Sequence, residues 1–323
     1  MLLLYLALQE KFFDITNQTT LNEFVFLELV TTPLLNTLLF LVFAVIYLMT
    51  LAFNLTIIVI VKLDLHLHTP MYFFLSYLAV VEILYTTTTV PKMLANFLQE
   101  NKTISFNGCF TQMFFFVNFG SIECVLLAVM AYDRYVAICS PLHYSVIMNR
   151  QVCLRLAAVS VFIAFINGLV QAVFTSRLPF CKNTTINHFI CDIPPLLKLS
   201  CSDTRLNEFF VYLLGGFVIV GSFVLTLISY AYIVTTILKI RTSKGRRKAF
   251  STCTSHLTVV SIFFGTLTYT YVRPASNYSL DDDKVVFIIY STVTPLLNPF
   301  IYSFRNRDIQ GAFRRVFKNI IQV

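Results

Sequence analysis

The chain has 323 residues, of which 57% are hydrophobic and only 12% are charged, and its formal net charge is +8. The apolar residues are gathered in long continuous runs, and a soluble protein would have to surround each such helix with a full shell of other elements. The composition therefore excludes an ordinary soluble protein and indicates an integral membrane protein.

Seven apolar segments follow one another, and most reach the roughly 20 residues that an α-helix needs to cross a bilayer. Their apolar residues are continuous rather than alternating, which favours helices over the strands of a membrane barrel. We predict an all-α membrane protein, a seven-transmembrane helix bundle in 33–304, with helices at about 33–61, 70–98, 108–139, 151–176, 206–240, 247–272 and 284–304. Residues 1–32 are predicted to be an extracellular N-terminal region, whose Leu-rich start is too short to span a membrane.

The last segment, 305–323, is predicted to be a cytoplasmic amphipathic helix and tail. Apolar residues such as Ile309, Ala312 and Phe313 recur at helical spacing, and arginines such as Arg314 stand between them. A basic amphipathic helix of this kind lies on the inner membrane surface.

The Lys and Arg residues are distributed unevenly between the two sides of the predicted bundle. If the N-terminus lies outside, most of the 24 fall at helix ends or in loops on the cytoplasmic side. This bias follows the positive-inside rule, so it predicts an extracellular N-terminus and a cytoplasmic C-terminus. Because the basic residues sit in short loops beside the membrane, they indicate contact with lipid and not with nucleic acid.

Two sets of residues on the predicted outer side are candidates for covalent modification. The glycosylation sequons there begin at Asn17, the strongest candidate, and at Asn101, Asn183 and Asn277. The cysteines there are Cys109, Cys181, Cys191 and Cys201. Four cysteines allow three pairings, and the sequence alone does not choose among them.

Four polar residues lie deep within the predicted spans, where such residues are costly and usually functional. They are Asn54, Glu82, Glu123 and Asn298. One hypothesis is a polar core that holds a proton or a cation and changes its occupancy between conformations. The alternative is a static network of neutral acids.

The sequence contains no glycine-rich phosphate loop, no zinc-spaced Cys/His set and no serine-nucleophile motif. We therefore predict no catalytic site, no metal site and no cofactor. Asp133 and Arg134 nevertheless stand side by side at the end of the third span, where they are a surface ion pair, half of a catalytic site or a latch. Their position at the inner membrane boundary, without a nucleophile nearby, favours the latch.

Four segments resemble the signature segments of vertebrate odorant receptors of the tetrapod type (class II), which are rhodopsin-like G-protein-coupled receptors. They are LHTPMYFFLS (67–76), MAYDRYVAIC (130–139), KAFSTCTSHLTVV (248–260) and PLLNPFIYSFRNRD (295–308). The resemblance runs in order from about residue 20 to about residue 315. It implies a rhodopsin-like bundle in the plasma membrane that binds a small-molecule odorant and activates a stimulatory heterotrimeric G-protein, which raises cyclic AMP.

The resemblance also assigns roles to individual residues. Asp133, Arg134 and Tyr135 match the ionic-lock motif, in which Asp133 holds Arg134 until activation. The other activation residues that it implies are Tyr230, Asn298, Pro299 and Tyr302. The disulfides that it implies are Cys109–Cys191 and Cys181–Cys201.

The implied odorant pocket lies among the outer halves of the third, fifth and sixth spans. Its expected members are Phe116, Val117, Gly120, Ser121, Phe264, Leu267, Thr268 and Tyr271. Phe116 and Phe264 are expected to form an apolar floor, while Ser121 and Tyr271 are expected to donate hydrogen bonds to a small, mostly apolar ligand. The alternative is that these residues only pack one helix against another.

Two other functions remain open at this point. The same fold serves equally well as a receptor for a non-odorant metabolite in other tissues, and the sequence does not separate these two receptors. A proton-linked transporter that uses Glu82 and Glu123 is disfavoured, because the spans show neither an inverted repeat nor paired broken helices.

Overall fold

The structure, a computed structural model, describes residues 22–27, 32–180, 184–239, 242–271, 280–304 and 307–321. In this part of the chain seven long helices form the bundle. They are α1 (Pro33–Leu63), α2 (Pro70–Leu98), α3 (Phe106–Cys139), α4 (Arg150–Ser176), α5 (Arg205–Lys239), α6 (Ser243–Tyr271) and α7 (280–304). A further helix, α8 (Arg307–Ile321), follows. The prediction of a seven-helix bundle with an amphipathic eighth helix is confirmed.

Six helices in the described ranges are long and apolar enough to cross a membrane, and α6 is the long helix outside this set. With 29 residues α6 has the required length, but it is rich in Ser, Thr and basic side chains. Two of its threonines, Thr266 and Thr270, donate their hydroxyl hydrogens to backbone carbonyls of the preceding turn. These hydroxyl groups are thereby satisfied within the helix itself.

Local sequence signals explain where several helices begin. Pro33 and Pro70 stand in the first turns of α1 and α2, where the missing N–H of proline would have no partner in any case. The side chain of Ser105 caps α3 by accepting a hydrogen bond from the N–H of Gly108. The side chain of Asn149 caps α4 in the same way, from the N–H of Val152.

Two of the bundle helices contain a wider π turn. In α5 this turn covers Val211–Gly215, and in α7 it covers Ile289–Val293. A π turn shifts the side chains that follow it around the helix axis, and such turns occur frequently at functional sites. Both of these turns lie close to the cavity described below.

One end of the bundle, here called the disulfide end, is covered by a small sheet. Strand β1 (Glu23–Phe26) pairs antiparallel with β2 (Thr103–Ser105) and parallel with β3 (Thr185–Ile186). The ring of Phe24 is fully buried against phenylalanines of α3 and of the loop between α4 and α5. The segment before α1 is thereby held across the end of the bundle.

A disulfide joins Cys109, near the start of α3, to Cys191 in the loop between α4 and α5 (177–204, here called the α4–α5 loop). This is one of the pairs that the resemblance implies. Cys201 is also disulfide-bonded, whereas Cys181, its expected partner, lies outside the described residues. Of the predicted glycosylation sites, Asn101 is exposed at the disulfide end. The other three, Asn17, Asn183 and Asn277, lie outside the described residues.

At the opposite end of the bundle, α8 folds back against the turn between α1 and α2. Its Ile309 and Ala312 are buried. The Nε and NH2 groups of Arg315 donate to one carboxylate oxygen of Asp64, at 2.9 and 2.7 Å. Burial by itself raises the pKa of Asp64, but hydrogen bonds from Arg315 and His66 outweigh it and lower the pKa to about 2.

We expect Cys109→Ser to prevent delivery of the protein to the cell surface. Loss of a native disulfide typically costs about 2–5 kcal/mol in a small secreted domain, and this bond anchors the α4–α5 loop to α3. Surface labelling of an epitope-tagged protein measures the effect. Cys139→Ser, at a free cysteine of the same helix, is the matched control and should reach the surface. Normal delivery of Cys109→Ser would contradict the structural role of the bond.

We expect Asp64→Asn to lower the free energy of unfolding of the detergent-solubilised protein by about 1–2 kcal/mol, because a partly buried ionic hydrogen bond is lost. Thermal unfolding measures the change. The pKa of Asp64 falls from 3.8 to about 2 on folding. The contribution of the ionised Asp64 carboxylate to folding stability is therefore complete above roughly pH 5, and it is lost as the pH falls towards 2. The difference from wild type should stay constant between pH 5 and 8. Equal stabilities at pH 7 would contradict this assignment.

Candidate functional site

An internal cavity lies between α3, α4, α5, α6 and α7 towards the disulfide end. Its empty volume, including the open space at its mouth, is about 520 Å³. The lining is largely apolar, with a few polar side chains, which is typical of a small-molecule site. The lining residues are Tyr85, Phe116, Val117, Gly120, Ser121, Cys124, Asn167, Gln171, Ile193, Val211, Gly215, Val218, Ile219, Leu267, Tyr271 and Tyr290.

The structure brings six of the eight predicted pocket residues together at this cavity. They are Phe116, Val117, Gly120, Ser121, Leu267 and Tyr271. The other two, Phe264 and Thr268, do not line it. Phe264 is buried against Phe223 of α5, with ring centroids 5.4 Å apart, and Thr268 is exposed.

The hydroxyl group of Ser121 is already occupied within the protein. It donates to the backbone carbonyl of Val117 at 2.7 Å, and it accepts a hydrogen bond from Nδ2 of Asn167 at 2.9 Å. Its single hydrogen is therefore not free for a ligand, although the sequence suggested Ser121 as a donor. The helix carbonyl four residues earlier is a common partner of a buried serine in a membrane helix.

Tyr271 at the end of α6 is tied to the α4–α5 loop. Its hydroxyl contacts both carboxylate oxygens of Asp192, at 3.1 and 2.9 Å, and lies 3.4 Å from the hydroxyl of Tyr290 in α7. Asp192 directly follows the disulfide-bonded Cys191, whose N–H donates to Gln112 of α3. The outer ends of α3 and α6 are thus connected across the cavity by two consecutive loop residues.

A second cavity adjoins the first at the disulfide end, and its empty volume is about 650 Å³. The two share Ile193, Val211 and Tyr271 as lining residues. The second cavity also includes polar side chains such as Lys198 and Glu208. The three shared residues thus lie between the two cavities.

Several lining residues were not predicted from the sequence, among them Tyr85, Asn167, Gln171 and Tyr290. Asn167 and Gln171 are polar residues inside a predicted span, a signal that was available because such residues are unusual there. Tyr290 reaches the cavity from the π turn of α7. The local sequence gives no signal that predicts this π turn.

The four polar residues predicted to form a core are all buried, and α7 connects them. Nδ2 of Asn298 donates to Glu82 and, at 3.3 Å, to Glu123. Nδ2 of Asn54 donates to backbone carbonyls of α1 and α7. The second carboxyl oxygens of Glu82 and Glu123 have no hydrogen-bond partner among the described residues. Acceptors outnumber donors in this cluster, so a proton or a cation would complete it.

Asp133 and Arg134 are both buried at the end opposite the disulfide. Asp133 accepts a hydrogen bond from the hydroxyl of Tyr144 at 2.9 Å. Consecutive helix residues do not face each other, and within the described residues Asp133 and Arg134 form no ion pair of 4 Å or less. Burial and the Asp133 carboxyl raise the pKa of Tyr144, so its hydroxyl stays protonated and donates. In this structure Asp133 is held by Tyr144 rather than by Arg134.

The remaining residues predicted to act in activation belong to α3, α5 and α7. The ring of Tyr135 packs against Tyr232 of α5 at 5.7 Å. The hydroxyl of Tyr230 in α5 is hydrogen-bonded to Nδ1 of His256 in α6, at 2.8 Å. Pro299 stands inside α7, where it removes a backbone hydrogen bond. The side chain of Tyr302 lies outside the described residues.

No three His, Cys, Asp or Glu side chains come together to form a metal site within the described ranges. The arrangement therefore consists of an apolar cavity at one end, a buried charged pair at the other and a polar core connected to α7.

Comparison with known proteins agrees with this geometry. The family model described as "Olfactory receptor" matches residues 43–320. Mouse olfactory receptor 5AP2 is 48% identical over 305 residues, which cover 94% of this chain and 96% of the mouse protein. Human olfactory receptor 13G1 is 49% identical over 301 residues, which cover 93% of this chain and 98% of that protein. Human olfactory receptor 5F1 is 49% identical over 300 residues, with coverage of 93% and 96%. The chain belongs to the olfactory receptor family.

Proposed function

We propose that this protein binds a small, mostly apolar odorant in the inner cavity and activates a stimulatory heterotrimeric G-protein, which raises cyclic AMP. The members of the family are receptors and not enzymes. The observation that carries the proposal is the apolar cavity beneath the hydrogen bond between Tyr271 and Asp192. A ligand in that cavity contacts α6 directly, at Leu267 and Tyr271.

The helix α6 provides the physical connection from the cavity to the opposite end. At its outer end Tyr271 is tied to the α4–α5 loop, and further along His256 is bonded to Tyr230 of α5. The buried Cys253 packs with Tyr230 in the same cluster. A ligand that favours a different position of α6 shifts the equilibrium between the arrangements of these contacts.

Activation then requires that Arg134 become available to the G-protein. Arg134 is 7% exposed, and its Nε has no hydrogen-bond partner among the described residues. A buried charged group without a full set of partners is costly. Outward movement of α6 would let the guanidinium group reach water or a partner. The hydrogen bond from Tyr144 to Asp133 keeps the loop after α3 in place during this change.

The protein is a multi-pass membrane protein, and we place it in the plasma membrane with the disulfide end outside. Disulfides persist in oxidising compartments, and the charge bias independently puts the opposite end in the cytoplasm. This orientation exposes Asn101 to glycosylation outside the cell. On the inner side, α8 presents exposed Phe313, Arg314 and Arg315 beside the membrane, which suits contact with anionic lipid.

The polar core of Glu82, Glu123 and Asn298 supports the same mechanism. Asn298 lies one residue before Pro299, so a bend of α7 at that proline moves the amide that the two carboxyl groups share. Uptake or loss of a proton or a cation at these acids would then accompany the change of conformation.

The test is a broad panel of odorants applied to cells that express the protein, with cyclic AMP as the readout and surface labelling as the control. We expect a concentration-dependent rise for at least one odorant, because the cavity accepts small apolar molecules. Silence across the panel, with surface delivery verified, would overturn the proposed function.

We expect Arg134→Ala to abolish the cyclic AMP response while the receptor still reaches the surface, since Arg134 lies at the opposite end of α3 from the cavity. Arg150→Ala is the matched control. Arg150 is an exposed arginine at the first position of α4. This control should retain the response. Full signalling by Arg134→Ala would contradict the assigned role.

A further inference from the structure

One residue that lines the inner cavity carries a buried acceptor without a hydrogen-bond partner among the described residues. Nδ2 of Asn167 donates to the hydroxyl oxygen of Ser121, and Ser121 gives its single hydrogen to the carbonyl of Val117. This arrangement determines the orientation of the amide, because Ser121 has no second hydrogen to donate to Asn167. Oδ1 of Asn167 is therefore the free end. Asn167 is 5% exposed, and its Oδ1 is buried and accepts no hydrogen bond from any described residue.

Two other polar groups of the lining have partners within the protein. Nε2 of Gln171 donates to the carbonyl of Phe210 at 3.2 Å, and the hydroxyl of Tyr271 contacts Asp192. Of the lining residues that the structure describes, only Asn167 has a buried side-chain oxygen or nitrogen without a hydrogen-bond partner. A buried acceptor that is left unpaired destabilises the site, so a molecule that supplies a donor there recovers the lost hydrogen bond.

The residues around Oδ1 of Asn167 limit which chemical group of a ligand could donate this hydrogen bond. The described lining contains no Asp or Glu, and the nearby carboxylate of Asp192 is already bound by Tyr271 and by the N–H of Ile193. A charged ammonium group beside Oδ1 would therefore lose its hydration without gaining a counter-ion of its own. A carboxylate has no hydrogen to donate. The rest of the wall is apolar and includes Phe116, Val218, Ile219 and Leu267. The best match is a neutral hydroxyl group on an apolar body.

We propose that Asn167 is a specificity-determining residue of this receptor, whose Oδ1 accepts a hydrogen bond from the hydroxyl group of an alcohol or a phenol. This inference rests on the proposed function and refines it by naming the class of ligand. A site built around a hydrogen bond discriminates strongly against an analogue that lacks the donor, because the acceptor is then left unpaired. The receptor therefore prefers alcohols and phenols to their methyl ethers.

The test uses matched pairs of odorants with about 8–12 heavy atoms, a size suited to the cavity. Each pair consists of an alcohol or a phenol and the methyl ether of the same skeleton. For wild type we expect the hydroxyl compound to act at a concentration about three- to tenfold lower than its ether, which is the range for one hydrogen bond. In Asn167→Leu, which removes the acceptor at similar size, the ratio should fall to about one.

Ser160→Ala is the control variant. Ser160 is buried in the same helix but does not line the cavity, and its hydroxyl donates to the carbonyl of Ala157. This variant should keep the wild-type ratio. If Asn167→Leu does not reach the surface, Asn167→Ala makes the same comparison with a smaller side chain.

The outcomes separate the two proposals. Equal potency of alcohols and ethers on wild type would overturn this inference alone, and it would mean that water satisfies Oδ1. The same holds if an Asn167 variant at the surface keeps the full preference for alcohols. A receptor that reaches the surface and responds to no odorant at all would overturn the proposed function and this inference with it.

Discussion

The half of the bundle at the disulfide end depends on the covalent bond between Cys109 and Cys191. This bond fixes the α4–α5 loop to the start of α3, and the N–H of Cys191 is bound by Gln112 of the same helix. The next residue, Asp192, holds the end of α6 through Tyr271. The disulfide and the Gln112 hydrogen bond together hold the loop so that this carboxylate lies above the cavity. The roof of the cavity and the end of α6 therefore share the same loop attachment.

The half of the bundle opposite the disulfide end contains hydrogen bonds that a movement of α6 would change. His256 connects α6 to Tyr230 of α5, close to the buried Arg134. Asp133 bonds with Tyr144, so the loop after α3 has an attachment that does not involve α6. In the proposed function this separation matters, since α6 can move while the acidic neighbour of Arg134 stays in place. The signal then consists of a change in the surroundings of Arg134 rather than a rearrangement of α3.

Much of the fold could be predicted because hydrocarbon imposes strict requirements on a chain. A spanning helix needs a minimum length of apolar sequence and satisfies its own backbone, so the apolar runs determine the number of helices. Prolines such as Pro33 and Pro70 indicate where helices begin. The resemblance implied that Asp133 holds Arg134, whereas the hydrogen bond that Asp133 makes in the structure is with Tyr144. Adjacent positions on a helix point in different directions, and the nearest partner of Asp133 came from the loop after α3.

The membrane class, the succession of seven helices and the family could thus be predicted from the length of the apolar runs and from four ordered motifs. Which polar groups meet depends on tertiary packing, as for Asn167 and Ser121 across 46 residues and for Arg315 and Asp64 across 251. The reason is that a helix of this bundle is apolar towards lipid and towards its neighbours alike, so its sequence does not reveal which side faces inwards. The rotation of each helix is set by packing, and with it the direction of every buried polar side chain.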